Sequence, residues 1–417
     1  METDGGAMGT ESSLVIENVT LSTPLPKQDS WQVVTTPEAY VVIEEGMISE
    51  VGRGTPPRAE STLDGYGRAA IPALCDPHTH AVFAGWRARE FEMRLTGRTY
   101  KEILAAGGGI LDTVRATREA SQDDLAGLLR CRLDAMLSRG VLTCEVKSGY
   151  GLDVDTEIRM LKAISEAGRD HPVDVVSTYL GAHAVPGEWS GNGAGYIEDV
   201  VVPLIGEIAR RGLAEFVDVF CEPGAFSVAE SRRVLEAGSA AGLGLRIHAD
   251  EMEASGGAAL AAEMGCASAE HLLSAPADQL LQMRDAGVSA VLLPGTAMVL
   301  GQPYAQGRWM IDQGMSVALG SDFNPGSSPI IDMGLIMVLA CLQMKMTPAE
   351  VLVAVTRNAS MSLGRRDRGV VAPGYRGDLV LLDAPQYTHL VYRPGARLVS
   401  CVISAGDVVF SEDTTDL

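Results

Sequence analysis

The sequence predicts an α/β protein in which a closed (β/α)8 TIM barrel carries a small β-sandwich domain formed by both chain termini. From residue 73 to residue 364, short β-branched runs alternate with Ala-, Leu-, Glu- and Arg-rich segments of helical periodicity, the pattern of βαβ units. Near both ends of the chain, short apolar runs are instead separated by turn residues. Hydrophobic residues make up 46% and charged residues 21% of the 417 residues, a globular composition that excludes disorder for most of the chain.

The predicted domain limits follow this change of pattern. Residues 1–72 and 365–417 form the two parts of the small β domain, and residues 73–364 form the catalytic barrel. The first part contains the strand candidates SLVIENVTL and AYVVIEEGMISEVG, and the second part contains GDLVLLDAP and ARLVSCVISAGDVVF. Because the two parts share one pattern, we expect them to pair into a single domain.

The barrel region contains eight strand candidates, the number that closes a (β/α)8 barrel. They lie at 69–80, 141–151, 173–183, 215–224, 243–251, 266–273, 288–296 and 315–326. Amphipathic segments such as DDLAGLLRCRLDAMLSRG and SVAESRRVLEAGSAAG lie between them, and the second ends on glycine as helix C-termini commonly do.

Charge and cysteine usage restrict the partners and the compartment. The 33 Lys and Arg residues against 54 Asp and Glu residues give a net charge of −21, which disfavours nucleic acid and anionic membranes as partners. The first dozen residues lack the basic and apolar regions of a secretory signal, and the chain has no run of about 18 apolar residues. The seven cysteines are scattered singly, as reduced thiols are. We therefore expect a cytoplasmic protein.

The histidines predict where the functional site lies. Five of the seven end a strand candidate: His78, His80, His183, His248 and His271. Barrel enzymes place their chemistry at the C-terminal ends of the strands. A single histidine at such a position is usually structural, but five in equivalent positions predict one shared site.

Four of these strand-end positions suit a metal ion. His78 and His80 form H-x-H, and alternate residues of a strand point the same way. With His248 on the fifth strand and Asp322 on the eighth, they offer three imidazoles and one carboxylate, a set suited to Zn²⁺ or Fe²⁺ with a position open for water. Such an ion lowers the pKa of bound water to about 7, which makes hydroxide available at neutral pH.

Three further residues are candidates for roles around that water. Glu251 is placed to take the water's proton, although a glutamate at a helix N-terminus is also favoured by the helix dipole. His271 would donate to a developing oxyanion or serve as a structural histidine. Arg87 follows the first strand and would clamp a substrate carboxylate, although most arginines lie on the surface.

Two other motifs carry less weight. The glycine-rich GGGI at 107–110 is not followed by Lys-Ser/Thr, so a phosphate-binding loop is not expected. Lys147 ends the second strand candidate, the wrong strand for a carboxylated lysine that bridges two metals, and the fourth ends in Glu222. One metal ion is therefore expected.

The pattern resembles the metal-dependent amidohydrolase superfamily, whose members join this barrel to a small β domain built from both termini. The strings CDPHTHAVFAGWRAREFEMRLTG, GGGI, EVKSGYG, LGAHAVP, IHADE and LGSDFNPGSS are similar, in order and spacing, to those of the imidazolonepropionase family. The resemblance implies hydrolysis of the cyclic amide of 4-imidazolone-5-propanoate to N-formimidoyl-L-glutamate in histidine degradation. It also implies one Zn or Fe ion per subunit and a homodimer.

The resemblance assigns roles to individual residues. The implied metal ligands are His78, His80, His248 and Asp322; the implied substrate contacts are Arg87, Tyr150, His183, Glu251, Asn324, Gly326 and Ser327; the implied catalytic residues are Glu251, His271 and Asp322. Whether Glu251 or Asp322 delivers a proton to the leaving nitrogen stays open. The substrate's propionate needs a cation, for which Arg87 is available.

Two alternatives remain from the sequence. A deaminase or another cyclic amidase would use the same metal cluster on a different heterocycle, because fold does not determine substrate. A scaffold protein that had lost catalysis would be free to lose the ligands, whereas this chain retains all four.

Overall fold

The computed structural model describes residues 13–27, 29–98, 102 and 108–412. The first dozen residues, which bear on secretion, and Gly107 of the GGGI motif lie outside the described residues. The strands are β1 (Ser13–Pro24), β2 (Val33–Glu44), β3 (Met47–Arg53), β4 (Ser61–Asp64), β5 (Ala69–Pro72), β6 (Leu74–Asp76), β7 (Val141–Lys147), β8 (Asp174–Ala182), β9 (Phe216–Cys221), β10 (Gly244–Ala249), β11 (Ser268–His271), β12 (Ser289–Leu292), β13 (Val317–Leu319), β14 (Leu379–Leu382), β15 (Val399–Ser404) and β16 (Asp407–Ser411).

Helices separate most of the barrel strands. They are α1 (Ala88–Leu95), α2 (Ile110–Glu119), α3 (Gln122–Leu137), α4 (Val154–Gly168), α5 (Gly193–Tyr196), α6 (Val202–Arg211), α7 (Val228–Ala240), α8 (Gly257–Met264), α9 (Ala277–Asp285), α10 (Pro294–Leu300), α11 (Gly307–Asp312), α12 (Met333–Met344), α13 (Pro348–Val355), α14 (Arg357–Ser362) and α15 (His389–Tyr392). Helix α3 begins with a reciprocal capping box between Ser121 and Asp124, which satisfies two otherwise free backbone N–H groups. None of the helices in these ranges is long and apolar enough to cross a membrane.

Strands β6 to β13 form the barrel in sequence order, each parallel to the next. Residues that follow the last and first strands bring its two edges together. Thr79 and Phe323 form a parallel bridge, the His80 N–H donates to the Phe323 carbonyl at 2.9 Å, and the Asp322 N–H donates to the His78 carbonyl at 3.0 Å. The predicted metal ligands of the first and eighth strands therefore lie on the seam where the barrel closes.

The first predicted barrel strand, 69–80, is two strands in different sheets. Strand β5 pairs antiparallel with β14 in the small sheet, whereas β6 pairs with β7 in the barrel. At the junction, the Ala73 N–H donates to the carbonyl of Asp378, just before β14, and the Leu74 N–H donates to the carbonyl of Gly140, just before β7. Pro72 has no N–H to continue the first ladder, which favours the change of sheet at this point.

The remaining eight strands form a second sheet in the order β16-β15-β14-β5-β1-β2-β3, with β4 paired to β1. Because β14 lies directly beside β5, the C-terminal strands are joined to the N-terminal ones by a continuous ladder. Buried residues such as Ile16, Val41 and Ile403 form its core. The fold class predicted from the sequence, a barrel with a separate β domain from both termini, is confirmed. The predicted domain limits stay a prediction.

Candidate active site

Four side chains at or just beyond the C-terminal ends of three barrel strands converge on one point. The Nε2 atoms of His78 and His80 lie 3.5 and 3.4 Å from Asp322 Oδ1, and His248 Nε2 lies 3.4 Å from His80 Nε2. All four residues are at least 97% buried. His271 also faces this cluster, with a ligand atom within 4.8 Å of those of His78 and His248. The structure thus brings together the four predicted metal ligands.

The chemistry of this cluster fits a cation. Neither ring nitrogen of His78 has a hydrogen-bond partner among the described residues, although both are buried. Burial, reinforced by the charges of Lys147 and neighbouring histidines, holds the pKa of His78 and His80 well below the usual range. They are therefore neutral and carry the free lone pair that a metal ion requires.

His248 is oriented by a carboxylate behind it. Its Nδ1 lies 3.0 Å from Asp218 Oδ2, which leaves Nε2 to face the cluster. Burial by itself would lower the pKa of His248, but the negative charge and hydrogen bond of Asp218 raise it. A carboxylate behind a ligating histidine commonly sets its orientation and tautomer.

A fully buried network of charges lies around Asp218. Lys147 Nζ is 2.8 Å from both Asp218 Oδ2 and Glu145 Oε1, and Arg246 links Glu145 and Glu270 at 3.0 Å each. Sequence reasoning weighed Lys147 but missed its partners. The signal was available, because charged residues interrupt otherwise apolar strand runs such as VLTCEVK, and buried charges in proteins are paired.

Asp322 is held in an uncommon conformation. Its Oδ2 accepts a hydrogen bond from Thr296 Oγ1, so Oδ1 remains to face His78 and His80. The backbone of Asp322 has φ +53°, and that of His271 has φ +70°. A non-glycine residue in this left-handed region costs about 1–3 kcal/mol, and such residues cluster at functional sites.

Glu251 and His271 lie beside the cluster and face each other. Glu251 Oε2 is 3.7 Å from His271 Nε2, and the Glu251 backbone N–H donates to Glu222. Burial, together with the charge of Asp322, raises the pKa of Glu251 to about 8. Burial lowers the pKa of His271 to about 3. A protonated acid and a neutral imidazole therefore stand next to the ligands in the absence of a cation, and a bound cation would favour the Glu251 carboxylate.

The predicted substrate contacts Tyr150 and His183 line the same mouth. The His183 ring stacks on His80 at 4.9 Å between centroids with 16° between planes. The Tyr150 ring lies 5.3 Å from that of His183 and 6.0 Å from that of His80. Burial raises the pKa of Tyr150, and the charge of Arg87 partly opposes this rise. Burial likewise lowers the pKa of His183, so both side chains are neutral hydrogen-bonding groups beside the predicted ligands.

Arg87 reaches the loop after β13, the strand that lies beside β6 where the barrel closes. A Cβ built on Gly326 would lie 1.0 Å from Arg87 Nη2, so only glycine leaves room for this guanidinium. The Arg87 side chain is 13% exposed, and Glu90 is its nearest carboxylate at 3.9 Å. Arg94, which the sequence reasoning missed, donates to the Gly326 carbonyl at 3.3 Å.

Asn324 and Ser327 are engaged within their own loop. Asn324 Oδ1 accepts the N–H groups of Gly326 and Ser327 at 2.8 Å each. Its Nδ2 donates to the Asp322 carbonyl at 2.6 Å and to Ser327 Oγ at 2.9 Å. The Asn324 side chain therefore organises the loop that carries Asp322 and Gly326, and direct contact of Asn324 or Ser327 with substrate stays a prediction.

Comparison with known proteins agrees with this geometry. A model described as "Amidohydrolase family" matches residues 93–410. The chain is 51% identical over 349 residues, 84% of its length and 78% of the relative's, to an imidazolonepropionase of Shouchella clausii (strain KSM-K16). It is 46% identical over 407 residues, 95% of its length and 96% of the relative's, to an imidazolonepropionase of Geobacillus sp. (strain WCH70). The chain belongs to the amidohydrolase family.

A solved structure supports the fold of this amidohydrolase. A triazine hydrolase from Arthobacter aurescens superposes with a TM-score of 0.76 at 18% identity and covers 96% of this chain and 95% of its own. Membership in the family makes the protein a metal-dependent hydrolase that acts on C–N bonds of a small molecule.

Proposed function

We propose that this amidohydrolase hydrolyses the cyclic amide bond of 4-imidazolone-5-propanoate to N-formimidoyl-L-glutamate, a step of histidine degradation. Relatives named imidazolonepropionase at 46–51% identity over most of the chain support this substrate. The observation that carries the proposal is the convergence of three imidazoles and one carboxylate beside Glu251, with Arg87 at the same mouth.

The metal would be held by His78, His80, His248 and Asp322. Three neutral imidazoles and one carboxylate suit Zn²⁺ and iron alike. When bound, such an ion makes water nucleophilic at neutral pH and polarises a carbonyl group.

We propose one ion per subunit. Asp218, His248 and Glu270 form a second group of potential ligands, which shares His248 with the first. Its carboxylates are already paired with the cations of Lys147 and Arg246 at 2.8 and 3.0 Å. These fixed positive charges would repel a second metal ion.

The protein's own groups would move the protons. Glu251 would accept a proton from the attacking water, which a carboxylate close to the ligands can do. Neutral His271 would donate a hydrogen bond to the oxygen of the opening amide. The leaving ring nitrogen then takes this proton, either directly from Glu251 or from Asp322 after the proton has passed to Asp322.

Arg87 would set the orientation of the substrate. A propionate group pairs with a guanidinium by two parallel hydrogen bonds, and Glu90 Oε2, 3.9 Å from Arg87 Nε, is beyond hydrogen-bond distance. Tyr150 and His183 would contact the ring between Arg87 and the ligands. A neutral nucleobase has no carboxylate for Arg87 to bind, which favours the imidazolone over a deaminase substrate.

The test is to incubate metal-replete protein with freshly generated 4-imidazolone-5-propanoate and to follow products by mass spectrometry. We expect a product heavier by one water that disappears after chelation. A panel of purines and pyrimidines under the same conditions is the control for deaminase activity. Absence of turnover by protein shown to contain metal would refute the assigned substrate, and a protein that purifies without stoichiometric metal would favour a scaffold.

We further propose that the protein works in the cytoplasm as a homodimer. All seven cysteines are free thiols, which agrees with a reducing compartment. The dimer rests on the family resemblance alone, and light scattering during size-exclusion chromatography would test it.

A further inference from the structure

The loop between β7 and α4 is wrapped around one buried carboxylate. Glu157, in the first turn of α4, is 1% exposed. Its Oε1 accepts the N–H groups of Gly151 at 2.8 Å and Leu152 at 2.9 Å. The Gly149 N–H points between its two oxygens, at 3.2 and 3.1 Å. Three backbone donors of one short loop therefore share a single side chain.

The loop's backbone depends on this arrangement. Gly149 has φ +106° and Leu152 has φ +54°, so both lie in the left-handed region. A Cβ on Gly151 would lie 2.9 Å from Glu157 Oε1 and 2.7 Å from the Glu157 backbone nitrogen, which shows how tightly the loop closes on the carboxylate. Without an acceptor, each buried N–H would lose its hydrogen bond, at a cost of about 1–3 kcal/mol. The carboxylate thus stabilises a conformation that the loop would not keep alone.

This loop carries one predicted substrate contact and supports another. Tyr150 lies at its centre and is 2% exposed beside the metal-ligand cluster. The Gly149 carbonyl accepts a hydrogen bond from His183 Nδ1 at 2.9 Å. Because a carbonyl only accepts, this bond fixes Nδ1 as the donor and sets the orientation of the ring that stacks on His80.

We propose that Glu157 is a positioning residue for substrate binding, which sets Tyr150 and His183 against the metal-ligand cluster through the backbone of residues 149–152. Glu157 itself does not touch the ligands or the substrate. The role of Glu157 in substrate binding rests on the proposed function, whereas its effect on the orientation of His183 does not.

The test replaces Glu157 with glutamine. Glu157→Gln keeps the size of the side chain but replaces one accepting oxygen with an NH2 group. This NH2 group donates, as do the backbone N–H groups of the loop, so it cannot accept a hydrogen bond from them. The matched control is Glu166→Gln in the same helix. The Glu166 carboxylate accepts a hydrogen bond from Gln122 Nε2 at 2.9 Å and has no hydrogen bond with residues 149–152. Metal content of the holoenzyme is measured for each variant.

The first readout is independent of activity. In metal-replete protein labelled with ¹⁵N-histidine, the Nδ1–H signal of His183 is identified by its loss in His183→Asn. We expect its exchange with water to accelerate about tenfold or more in Glu157→Gln, the factor for loss of one hydrogen bond, and to stay unchanged in Glu166→Gln. Unchanged exchange in Glu157→Gln would overturn the proposal.

The second readout is kinetic. We expect Glu157→Gln to raise KM about tenfold with a smaller change in kcat and with full metal content. Equal losses in Glu166→Gln, or a fall in kcat with unchanged KM, would overturn the role in binding. If Glu157→Gln does not fold, Glu157→Asp is used instead. It keeps the negative charge but places the carboxylate one methylene farther from the loop, and the same two readouts are measured. If the wild-type protein does not turn over the imidazolone, the proposed function fails, and the exchange of His183 still decides whether Glu157 positions it.

Discussion

Replacing Gly326 with alanine is expected to displace the Arg87 guanidinium without disturbing the rest of the mouth. The new Cβ would lie 1.0 Å from Nη2, 2.0 Å from Cζ and 2.5 Å from Nε of Arg87, so the two groups cannot coexist. The backbone of Gly326 is outside the left-handed region, and alanine therefore adds no backbone strain. The whole effect should fall on the position of one cation.

The size of this effect follows from what the guanidinium binds. Hydrogen bonds to a charged group contribute about 1.5–3 kcal/mol, so loss of the carboxylate clamp should raise KM about 10- to 150-fold. We expect kcat to change much less, because the propionate is remote from the bond that breaks. An imidazolone without the propionate should bind the variant and the wild type equally well.

Steady-state kinetics of Gly326→Ala, Arg87→Ala and the double variant form the assay. Because both single changes remove the same clamp, the double variant should be little worse than either one. Gly206→Ala is the matched control, since a Cβ there meets nothing within 4 Å. Wild-type KM in Gly326→Ala, or fully additive losses in the double variant, would refute the reasoning.

Three other predictions concern the ligand cluster and its neighbours. Asp218→Asn replaces the carboxylate behind His248 with a neutral amide and should weaken metal affinity about 10- to 100-fold in a chelator competition; unchanged affinity would contradict the orienting role. Glu251→Gln should lower kcat about 10²- to 10⁴-fold at unchanged metal content, and loss of metal with full activity after reloading would refute its role as a base. For metal-free protein, the pKa of Glu251 is raised from 4.5 to about 8 and that of Asp76 from 3.8 to about 7, whereas that of His271 is lowered from 6.5 to about 3. The folded protein binds more protons at the two acids than the unfolded chain does, so the stability that these acids contribute is lost as pH rises. The folded protein binds fewer protons at His271, so the stability that His271 contributes rises with pH and no longer changes above pH 6.5. The melting temperature of metal-free protein should therefore fall between about pH 6.5 and 8, and less in Glu251→Gln; a rise would contradict the assignment.

Local patterns in the sequence were enough to predict the barrel and its ligand cluster. Strand periodicity places His78 and His80 on one side of the chain, and a barrel brings all strand C-termini to one face. His248 and Asp322 were therefore predicted to share a site with them, although 74 residues separate these two in the chain. The structure brings all four together, with 3.4–3.5 Å between neighbouring ligand atoms.

The division of the strand at 69–80 was not predictable in the same way. Apolar residues on both sides of Ala73 are buried alike, so hydrophobic periodicity does not tell which sheet covers them. Only the pairing of β5 with β14, more than 300 residues later in the chain, assigns the first half to the small sheet.

The groups behind the ligands were decided by tertiary structure. Asp218 holds His248 from a neighbouring strand, Glu157 holds His183 through the backbone of a separate loop, and Gly326 makes room for Arg87 from the loop after β13. The sequence by itself determined which residues reach the mouth, because that depends on local periodicity and on the order of the strands. Their orientation depends on distances between segments far apart in the chain, and those distances exist only once the barrel has closed.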